Sequence, residues 1–154
     1  MNRSVARLTL VAFAVLVSTA LGSATAVASD LGDYLWQRRP LLLFAPTASD
    51  PRLVETLGRV EADQCGFVER DMVLGVMVVE GNSTLDGRPV DARESRRLAE
   101  QYGVGREDFT VVLIGKDGGE KLRVDDVPDL QTIYGVVDGM PMRSREASAN
   151  PSRC

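Results

Sequence analysis

Residues Phe109 to Arg123 read FTVVLIGKDGGEKLR, and this stretch decides the fold. The run Phe109–Ile114 is almost entirely apolar, which is typical of a strand that is buried on both faces of a sheet. Asp117-Gly118-Gly119 then supplies residues that tolerate the positive φ angles of a tight hairpin turn. The charged segment Glu120–Arg123 indicates a return strand at the sheet edge, because charge there opposes pairing with other chains. The stretch therefore predicts a hairpin of one buried strand and one edge strand.

Two apolar runs upstream of the hairpin predict further strands, at Leu41–Phe44 and Met72–Val79, and we expect the longer run to be central. Asp50 is expected to cap a helix that begins at Pro51, since a carboxylate accepts hydrogen bonds from the first helical turn and proline fits the first position. Trp36, the single tryptophan, precedes the first strand and is expected to anchor the core.

Helices are also predicted after the second strand and after the hairpin. Asp91-x-x-Glu94 resembles a capping box, and Gly103 is a typical helix end. A last helix follows Pro128, whereas Glu80–Pro89 is expected to form a loop. The order is a short helix and then β-α-β-α-β-β-α. It predicts an α/β, thioredoxin-like domain with a mixed four-stranded sheet and helices on both faces.

The amino-terminal segment has the pattern of an export signal. Two arginines precede the apolar core Leu8–Leu21, and Ala26-Val27-Ala28 is a typical cleavage site. The core is shorter than the roughly 20 residues that a membrane-spanning helix needs. We therefore expect a protein that is exported to the periplasm or the extracellular space, with no membrane span after cleavage. The predicted organisation is a signal peptide at 1–28, a thioredoxin-like domain at 29–146 and a flexible tail at 147–154.

Composition argues against several classes of function. The formal net charge is −4 and becomes more negative after loss of the signal arginines, which opposes binding to nucleic-acid phosphates. The chain contains no histidine, so it lacks the usual base of Ser-His and Cys-His nucleophilic systems and the commonest transition-metal ligand. We predict no cofactor and no metal site. An alternative is a cation site at the acidic end of the hairpin, near Asp125-Asp126.

A redox member of the thioredoxin fold needs a thiolate at the start of the first helix, where the helix N-terminus lowers the thiol pKa. That place holds Ser49-Asp50-Pro51-Arg52, which contains no cysteine. A serine hydroxyl does not replace a thiol, because it is not readily ionised and no histidine is available as a base. The segment Gly105–Asp108, before the hairpin strand, also lacks the proline that redox members place beside the thiol. Both features argue against oxidoreductase activity.

The two cysteines, Cys65 and Cys154, are far apart and form no C-x-x-C motif. In the oxidising compartment that an exported protein meets, they can pair with each other, and free or intermolecular thiols are the alternative. A thiol-dependent redox protein that uses Cys65, with or without Cys154, is therefore the second functional hypothesis.

Four motifs together suggest a family. They are Tyr34-x-Trp36-x-x-Arg39-Pro40-Leu41-Leu42-Leu43-Phe44-Ala45-Pro46, Glu69-Arg70-Asp71, Leu113-Ile114-Gly115-Lys116-Asp117-Gly118-Gly119-x-Lys121-Leu122-Arg123 and Asp138-x-Met140-Pro141-Met142-Arg143-x-x-Glu146. With these motifs the chain resembles domain-of-unknown-function family 4174 over about Asp30 to Glu146. The resemblance implies a thioredoxin-like fold without redox thiols, found in short secreted bacterial proteins and in vertebrate extracellular proteins that carry sushi repeats. It supplies no catalytic residues.

Charged residues and methionines within these motifs make up the predicted binding surface. Two methionines flank Pro141 directly after the last helix, an arrangement that suits an exposed apolar lip for a partner. The alternative is that the charges form local ion pairs and the methionines pack the helix end. The sequence predicts an exported, non-catalytic thioredoxin-like module that binds a protein or another cell-envelope component. The predicted binding residues are Arg70, Asp71, Lys116, Asp117, Arg123, Met140, Met142 and Arg143.

Overall fold

The computed structural model describes residues 30–149, in which six strands form one mixed sheet and helices cover both faces. The α/β class is confirmed, with two strands more than predicted. In chain order the elements are a 3₁₀ helix (Leu31–Tyr34), β1 (Arg39–Thr47), α1 (Pro51–Ala62), α2 (Gln64–Glu69), β2 (Met72–Glu80), β3 (Ser83–Leu85), β4 (Arg88–Val90), α3 (Ala92–Gln101), β5 (Thr110–Ile114), β6 (Glu120–Val124), α4 (Leu130–Asp138) and α5 (Pro141–Ala149).

The strand order is β4-β3-β2-β1-β5-β6, which puts β2 and β1 at the centre and β6 at an edge, as predicted. β1 and β2 are parallel, with Leu41 opposite Leu74, and β5 is antiparallel to β1, with Leu42 opposite Val112. The start of β1, the start of β2 and the end of β5 therefore meet at one end of the sheet. We call this the amino end, and the opposite end the carboxyl end.

The sheet separates two apolar clusters because successive side chains of a strand point to opposite faces. Leu41 and Leu43 pack with Ile133 of α4 in one cluster, and Leu42 packs with Leu98 of α3 in the other. All five of these side chains are almost completely buried. Each fully buried leucine contributes roughly 1.5–3 kcal/mol relative to an exposed one, so β1 holds both halves of the core together.

The predicted helix caps are confirmed. Asp50 accepts a hydrogen bond from the backbone N–H of Arg52 at 2.9 Å, at the start of α1. Asp91 accepts from the N–H groups of Arg93 and Glu94, both at 2.8 Å, at the start of α3. Such caps satisfy donors that have no partner within the helix.

The predicted loop after β2 is instead a hairpin of two short strands, β3 and β4. Asp86 and Gly87 both have positive φ, 52° and 74°, as a tight two-residue hairpin turn requires. Ser83, Leu85 and Val90 turn inward and cover the edge of β2. The loop interpretation was wrong because these strands have only three residues each, too few to show a clear alternation.

Trp36 is not a core anchor, contrary to the prediction, since its side chain is 64% exposed. Tyr34 takes the buried position instead. The N–H groups of Gln37 and Arg38 both donate to the Tyr34 carbonyl, so the chain turns sharply at this point. Trp36 lies in this turn with a left-handed φ of 63°, which directs its side chain away from the core.

Helix α5 forms although the residues after Gly139 show no helical periodicity. Its one buried residue is the charged Arg143. Pro141 occupies its first position, where a missing N–H has no cost. The other helices are held to the sheet by burial of apolar side chains. Because α5 has no apolar stripe, it is held instead by the charged contacts described below.

Three predicted features lie outside the described residues: the signal peptide at 1–28, the last part of the tail and Cys154. Within residues 30–149, no helix is long and apolar enough to cross a membrane.

Candidate functional site

A cluster of buried charges occupies the amino end of the sheet. We define the ionic cluster as Arg39, Asp71, Lys116 and Glu146. Lys116 Nζ donates to Asp71 Oδ2 at 2.8 Å and to Glu146 Oε1 at 2.6 Å. Arg39 Nη1 donates to Glu146 Oε2 at 2.9 Å, and Arg39 Nη2 to Oε1 at 3.3 Å. The Glu146 carboxylate is therefore held by two cations, of which Arg39 is 1% and Lys116 8% exposed.

The sheet topology brings these four residues together from distant parts of the chain. Arg39 begins β1, and Asp71 immediately precedes β2, the parallel neighbour. The Arg39 N–H donates to the Asp71 carbonyl at 2.8 Å, and Asp71 adopts a left-handed φ of 53°. Lys116 follows β5, whose antiparallel direction returns the chain to the same end. Glu146 reaches the cluster from α5, so four segments meet there.

Glu146 remains ionised in this setting. Burial raises the pKa of its carboxyl, but the hydrogen bonds and charges of Arg39 and Lys116 outweigh burial and hold the pKa below its usual value. The cluster holds two cations and two carboxylates that contact one another. The cluster therefore holds four segments of the chain together through charge pairing and does not have the character of a vacant ligand site.

A second set of charges, beside the ionic cluster, holds α4 and α5 against α2. Arg70 makes a two-pronged contact with Asp138, at 3.0 and 2.8 Å, and its guanidinium lies 4.3 Å from the centre of the Tyr134 ring. Arg143 donates to Asp138 Oδ1 at 3.3 Å and to the Glu69 carbonyl at 3.1 Å. Burial raises the pKa of Asp138, but both arginines more than reverse this effect, and the net shift is downward.

Four of the predicted binding residues thus converge at the amino end: Arg70, Asp71, Lys116 and Arg143. Sequence reasoning missed their partners Arg39, Asp138 and Glu146, although all three lie in the quoted motifs. One sequence feature did indicate such partners. The motif that contains Arg143 also carries two carboxylates, one of them five positions before Arg143, and these carboxylates can balance positive charges nearby.

The other four predicted residues belong neither to the ionic cluster nor to the second set of charges. Asp117 lies in the hairpin turn and accepts from Lys121 Nζ at 2.6 Å. Arg123 pairs with Glu120 at 2.9 Å on the edge strand β6. The remaining two are Met140, which packs against the core, and Met142, which is 36% exposed on α5. A binding role for any of the eight residues stays a prediction.

The start of α1 carries an ion pair where a redox protein of this fold would carry its thiolate. Arg52 donates from Nε to Asp50 Oδ1 at 3.1 Å and from Nη2 to Oδ2 at 2.7 Å. These hydrogen bonds hold the pKa of Asp50 below its usual value. The guanidinium of Arg52 also lies 5.2 Å from the centre of the Phe109 ring. These contacts organise the start of α1 around charge pairing.

Cys65 lies exposed on α2, and its sulfur is in a disulfide. No free cysteine occurs within the part of the chain that the structure describes. The predicted partner, Cys154, lies outside that part. The pairing of Cys65 with Cys154 therefore stays a prediction.

A cleft of about 930 Å³ lies at the carboxyl end of β1 and β2, between the β3–β4 hairpin and α3. Phe44 and Met77 form part of its floor. A buried hydrogen bond of 3.0 Å between the Ser83 and Ser95 hydroxyls ties β3 to α3 beside it. Ligands of open α/β sheets commonly bind at the carboxyl ends of the strands, so the cleft is a second candidate site.

The acidic end of the β5–β6 hairpin is a poor match for a cation site. Asp125 accepts a hydrogen bond from Thr110 Oγ1 at 2.9 Å, and Asp126 accepts from the Val127 N–H at 2.7 Å. No group of three or more metal-ligating side chains occurs within residues 30–149. The two carboxylates serve local backbone and side-chain contacts.

A protein-family model described as "Domain of unknown function (DUF4174)" matches residues 30–146. The chain belongs to this family. The match confirms the resemblance predicted from the four motifs. It spans every residue of the ionic cluster and the whole cleft, so both candidate sites lie within the DUF4174 domain.

One curated relative of this DUF4174 chain is coiled-coil domain-containing protein 80 from Danio rerio. It is 23% identical over 138 residues, which cover 79% of this chain and 16% of that protein. The DUF4174 chain thus spans about a sixth of the length of that relative.

Two solved structures confirm the thioredoxin-like fold of the DUF4174 domain. The reduced 2-Cys peroxiredoxin of Plasmodium vivax matches with a TM-score of 0.55 and 12% identity, covering 76% of this chain and 85% of that one. Prx1a of Plasmodium yoelii matches with a TM-score of 0.50 and 16% identity, covering 79% and 82%. At these identities the likeness concerns the fold alone.

Acidification is expected to weaken the docking of α5 in this DUF4174 domain. The pKa of Glu146 is lower in the folded state than its ordinary value of 4.5. Its stabilising contribution is therefore fully present above pH 4.5 and is lost as the pH falls through the depressed folded value. We expect Glu146→Gln to lose stability at neutral pH and to show a smaller further loss below pH 4.5 than the wild type. Urea denaturation across this range measures both effects.

The matched control for this pH series is Glu107→Gln, which changes an exposed carboxylate that makes no ion pair within residues 30–149. It should retain the acid-dependent loss of the wild type. An acid response that Glu146→Gln leaves unchanged would contradict the role given to Glu146.

Proposed function

We propose that this chain is an exported, non-catalytic thioredoxin-like module that binds a protein or another cell-envelope partner at its amino end. The observation that carries the proposal is Trp36, a large aromatic side chain that the fold holds in the solvent. Tryptophan is strongly enriched among residues that dominate the binding energy of protein interfaces. Trp36 is 64% exposed, and the adjacent Leu35 is 41% exposed.

The backbone at Trp36 supports a functional interpretation of this exposure. A left-handed φ in a residue other than glycine costs of order 1–3 kcal/mol and persists only where the surroundings impose it. Here the Trp36 N–H donates to the Lys116 carbonyl at 2.6 Å. Leu35 also lies close to Gly118, where an added Cβ would approach its Cδ2 within 2.9 Å. The β5–β6 hairpin thus fixes the backbone of this turn, and the backbone fixes the direction in which the indole leaves it.

The ionic cluster then has a supporting role in the proposed surface. The Lys116 carbonyl accepts the hydrogen bond from the Trp36 N–H, and the Lys116 ammonium group belongs to the ionic cluster. One residue therefore fixes both the turn at Trp36 and the cluster. Met142, exposed on α5, is presented at the same end through the contacts of Arg143 and Glu146. In this proposal the exposed apolar residues contact the partner, and the buried charges hold them in place.

The non-catalytic part of the proposal draws on the start of α1. The segment Ser49–Arg52 offers an ion pair and a hydroxyl in place of a thiolate. The export part draws on the predicted signal peptide. An exported protein without a thiolate at this position and with an exposed tryptophan on a fixed backbone turn fits a binding module better than an enzyme.

We call the exposed residues Leu35, Trp36 and Met142 the Trp36 surface. It is tested by placing a photo-crosslinking amino acid at position 36 and, as the control, at Val54. Val54 is also an exposed apolar residue, but it lies on α1. We expect a discrete crosslinked product in the exported protein only with the probe at position 36. A Trp36→Ala variant without the crosslinker should no longer copurify with the partner that this product identifies. Identical products from both positions, or no product from position 36, would contradict the proposed surface.

A thiol-dependent redox role through Cys65 is the second candidate function. The observation that favours it is the exposure of Cys65 together with its disulfide state. Hydrogen peroxide could oxidise two thiols to one disulfide and two water molecules, after which an external dithiol would reduce the disulfide. Peroxide consumption by the mature protein with dithiothreitol tests this role. Consumption that Cys65→Ser abolishes would favour redox chemistry over the binding module.

A further inference from the structure

The cleft at the carboxyl end has the composition of a small-molecule site. Such sites typically enclose about 300–1,000 Å³ and combine apolar walls with a few polar groups, and this cleft measures about 930 Å³. Besides its floor, it has apolar walls from Val79, Ala99 and Val104. Val79 is 41% exposed, so part of this apolar lining is open to solvent.

Two arginines line the cleft, Arg96 of α3 and Arg106 of the segment before β5, and neither has a side-chain partner within residues 30–149. Neither guanidinium makes a hydrogen bond or ion pair with another described residue, and both side chains are exposed. Arg52, Arg59, Arg97 and Arg123 pair with nearby carboxylates. Four exposed arginines, like Arg96 and Arg106, form no ion pair with another described residue: Arg38, Arg88, Arg93 and Arg145. Among these unpaired arginines, Arg96 and Arg106 are the ones that line the cleft, where their N–H donors are available to a ligand.

The two acidic residues of the cleft balance the formal charge of Arg96 and Arg106, but they do not occupy the N–H donors of these arginines. Asp91 directs its carboxylate to the N–H groups at the start of α3. Glu100 is exposed and forms no ion pair with Arg96, although it lies one helical turn further along α3. The lining thus combines apolar walls with two available guanidinium groups, which suit a carboxylate or a phosphate.

An extended peptide added to the sheet is a poorer occupant. The neighbouring edge strand, β4, has only three residues and contains Pro89, which has no N–H to donate. Recognition of peptides by strand addition depends on such main-chain hydrogen bonds. A compact ligand with a hydrocarbon part and one charged end matches the lining better.

We infer that the cleft binds a single-chain amphiphile with an anionic head group. The hydrocarbon chain lies against Val79, Ala99 and Val104, and the head group is held by Arg96 and Arg106. The shared chemistry is a carboxylate or phosphate on an alkyl chain. This site lies at the end of the sheet opposite to the Trp36 surface and does not depend on the proposed partner.

The test is a titration of the mature protein with decanoate and with decyl phosphate, followed by NMR of the valine methyl groups. Decyltrimethylammonium, with the same chain length and the opposite charge, is the ligand control. We expect saturable shifts of the Val79 and Val104 methyl signals with an anionic probe and not with the cation. Saturation by only one anionic probe would identify the head group.

Variants then separate the cleft arginines from general surface charge. Arg96→Gln combined with Arg106→Gln should weaken binding at least about tenfold, because the variant loses the charge-assisted hydrogen bonds to the anionic head group. Arg93→Gln removes an exposed arginine of the same helix that does not line the cleft, and binding should be unchanged. Trp36→Ala should also bind as the wild type does, which separates this inference from the proposed function.

Three outcomes would overturn the inference: binding of the cation equal to that of the anions, equal weakening of binding by Arg93→Gln, or no saturable shift in the cleft.

Discussion

Replacing Lys116 with methionine is expected to lower the free energy of unfolding by about 3–5 kcal/mol, the usual loss when one partner of a buried ion pair is removed. Methionine retains much of the aliphatic length of lysine but removes the ammonium group that contacts Asp71 and Glu146. Asp71 is 6% exposed and would lose its ion pair with Lys116. Urea denaturation at neutral pH, followed by circular dichroism, measures the difference from the wild type.

The matched control is Lys121→Met, five positions further along the same hairpin. Lys121 pairs with Asp117 at 2.6 Å, but both side chains are substantially exposed, at 32% and 46%. Exposed pairs of this kind are typically worth about 0–1 kcal/mol. Equal losses for the two variants would show that burial of Lys116 is not what makes its contacts important.

Replacing Cys65 with serine is expected to lower the free energy of unfolding by about 4–5 kcal/mol, if the disulfide closes the predicted loop of about 90 residues to Cys154. In the chain-entropy model the disulfide stabilises by restricting the unfolded chain, and longer loops give larger effects. Arg143 of α5 contacts the carbonyl of Glu69 in α2, the helix that carries Cys65, so the two helices are adjacent.

Denaturation with and without reductant, together with intact mass, measures this effect. The wild-type monomer should gain the mass of two hydrogen atoms on reduction and lose stability, and Cys154→Ser should match Cys65→Ser. A Cys65→Ser variant as stable as the oxidised wild type, or a mass that shows a disulfide between two chains, would refute the intramolecular loop.

The sequence predicted those parts of the fold in which local pattern and tertiary burial agree. The buried strands β1, β2 and β5 read as apolar runs, and Asp50 and Asp91 read as helix caps, because each signal lies within a few consecutive residues. The hairpin of β3 and β4 was missed because each strand has only three residues. The sequence does contain a signal for this hairpin, since Asp86-Gly87 is typical of a tight two-residue turn.

Trp36 and α5 show where local reasoning fails. An aromatic residue near a strand favours a core position, and only the backbone turn at Tyr34 reveals that Trp36 points outward. Helix α5 carries no periodicity because its docking depends on Arg143 and Glu146, and their partners are supplied by other elements. Such pairing between distant residues is a tertiary property that composition and spacing do not contain.

The candidate site was predicted in part for the same reason. Motif spacing indicated four of the charged residues at the amino end, but it did not separate buried Lys116 from exposed Asp117 beside it. The cleft at the carboxyl end was not predicted at all. Its walls come from β2, α3 and the segment before β5. Arg96 and Arg106 belong to different segments, so the sequence does not indicate that both line the same cleft.

The way in which α5 is attached has a consequence for the order of folding. Arg39 and Glu146, which meet in the ionic cluster, are 107 residues apart in the chain. Contacts between such distant residues are expected to form late, because closing a long loop costs entropy before the contact can stabilise it. The partners of α5 lie at the starts of β1 and β2 and beyond the end of β5, so the sheet must be assembled before the helix has a docking surface. We therefore expect α5 to dock last, and we expect a chain truncated before it to form the sheet with Arg39 and Lys116 facing solvent.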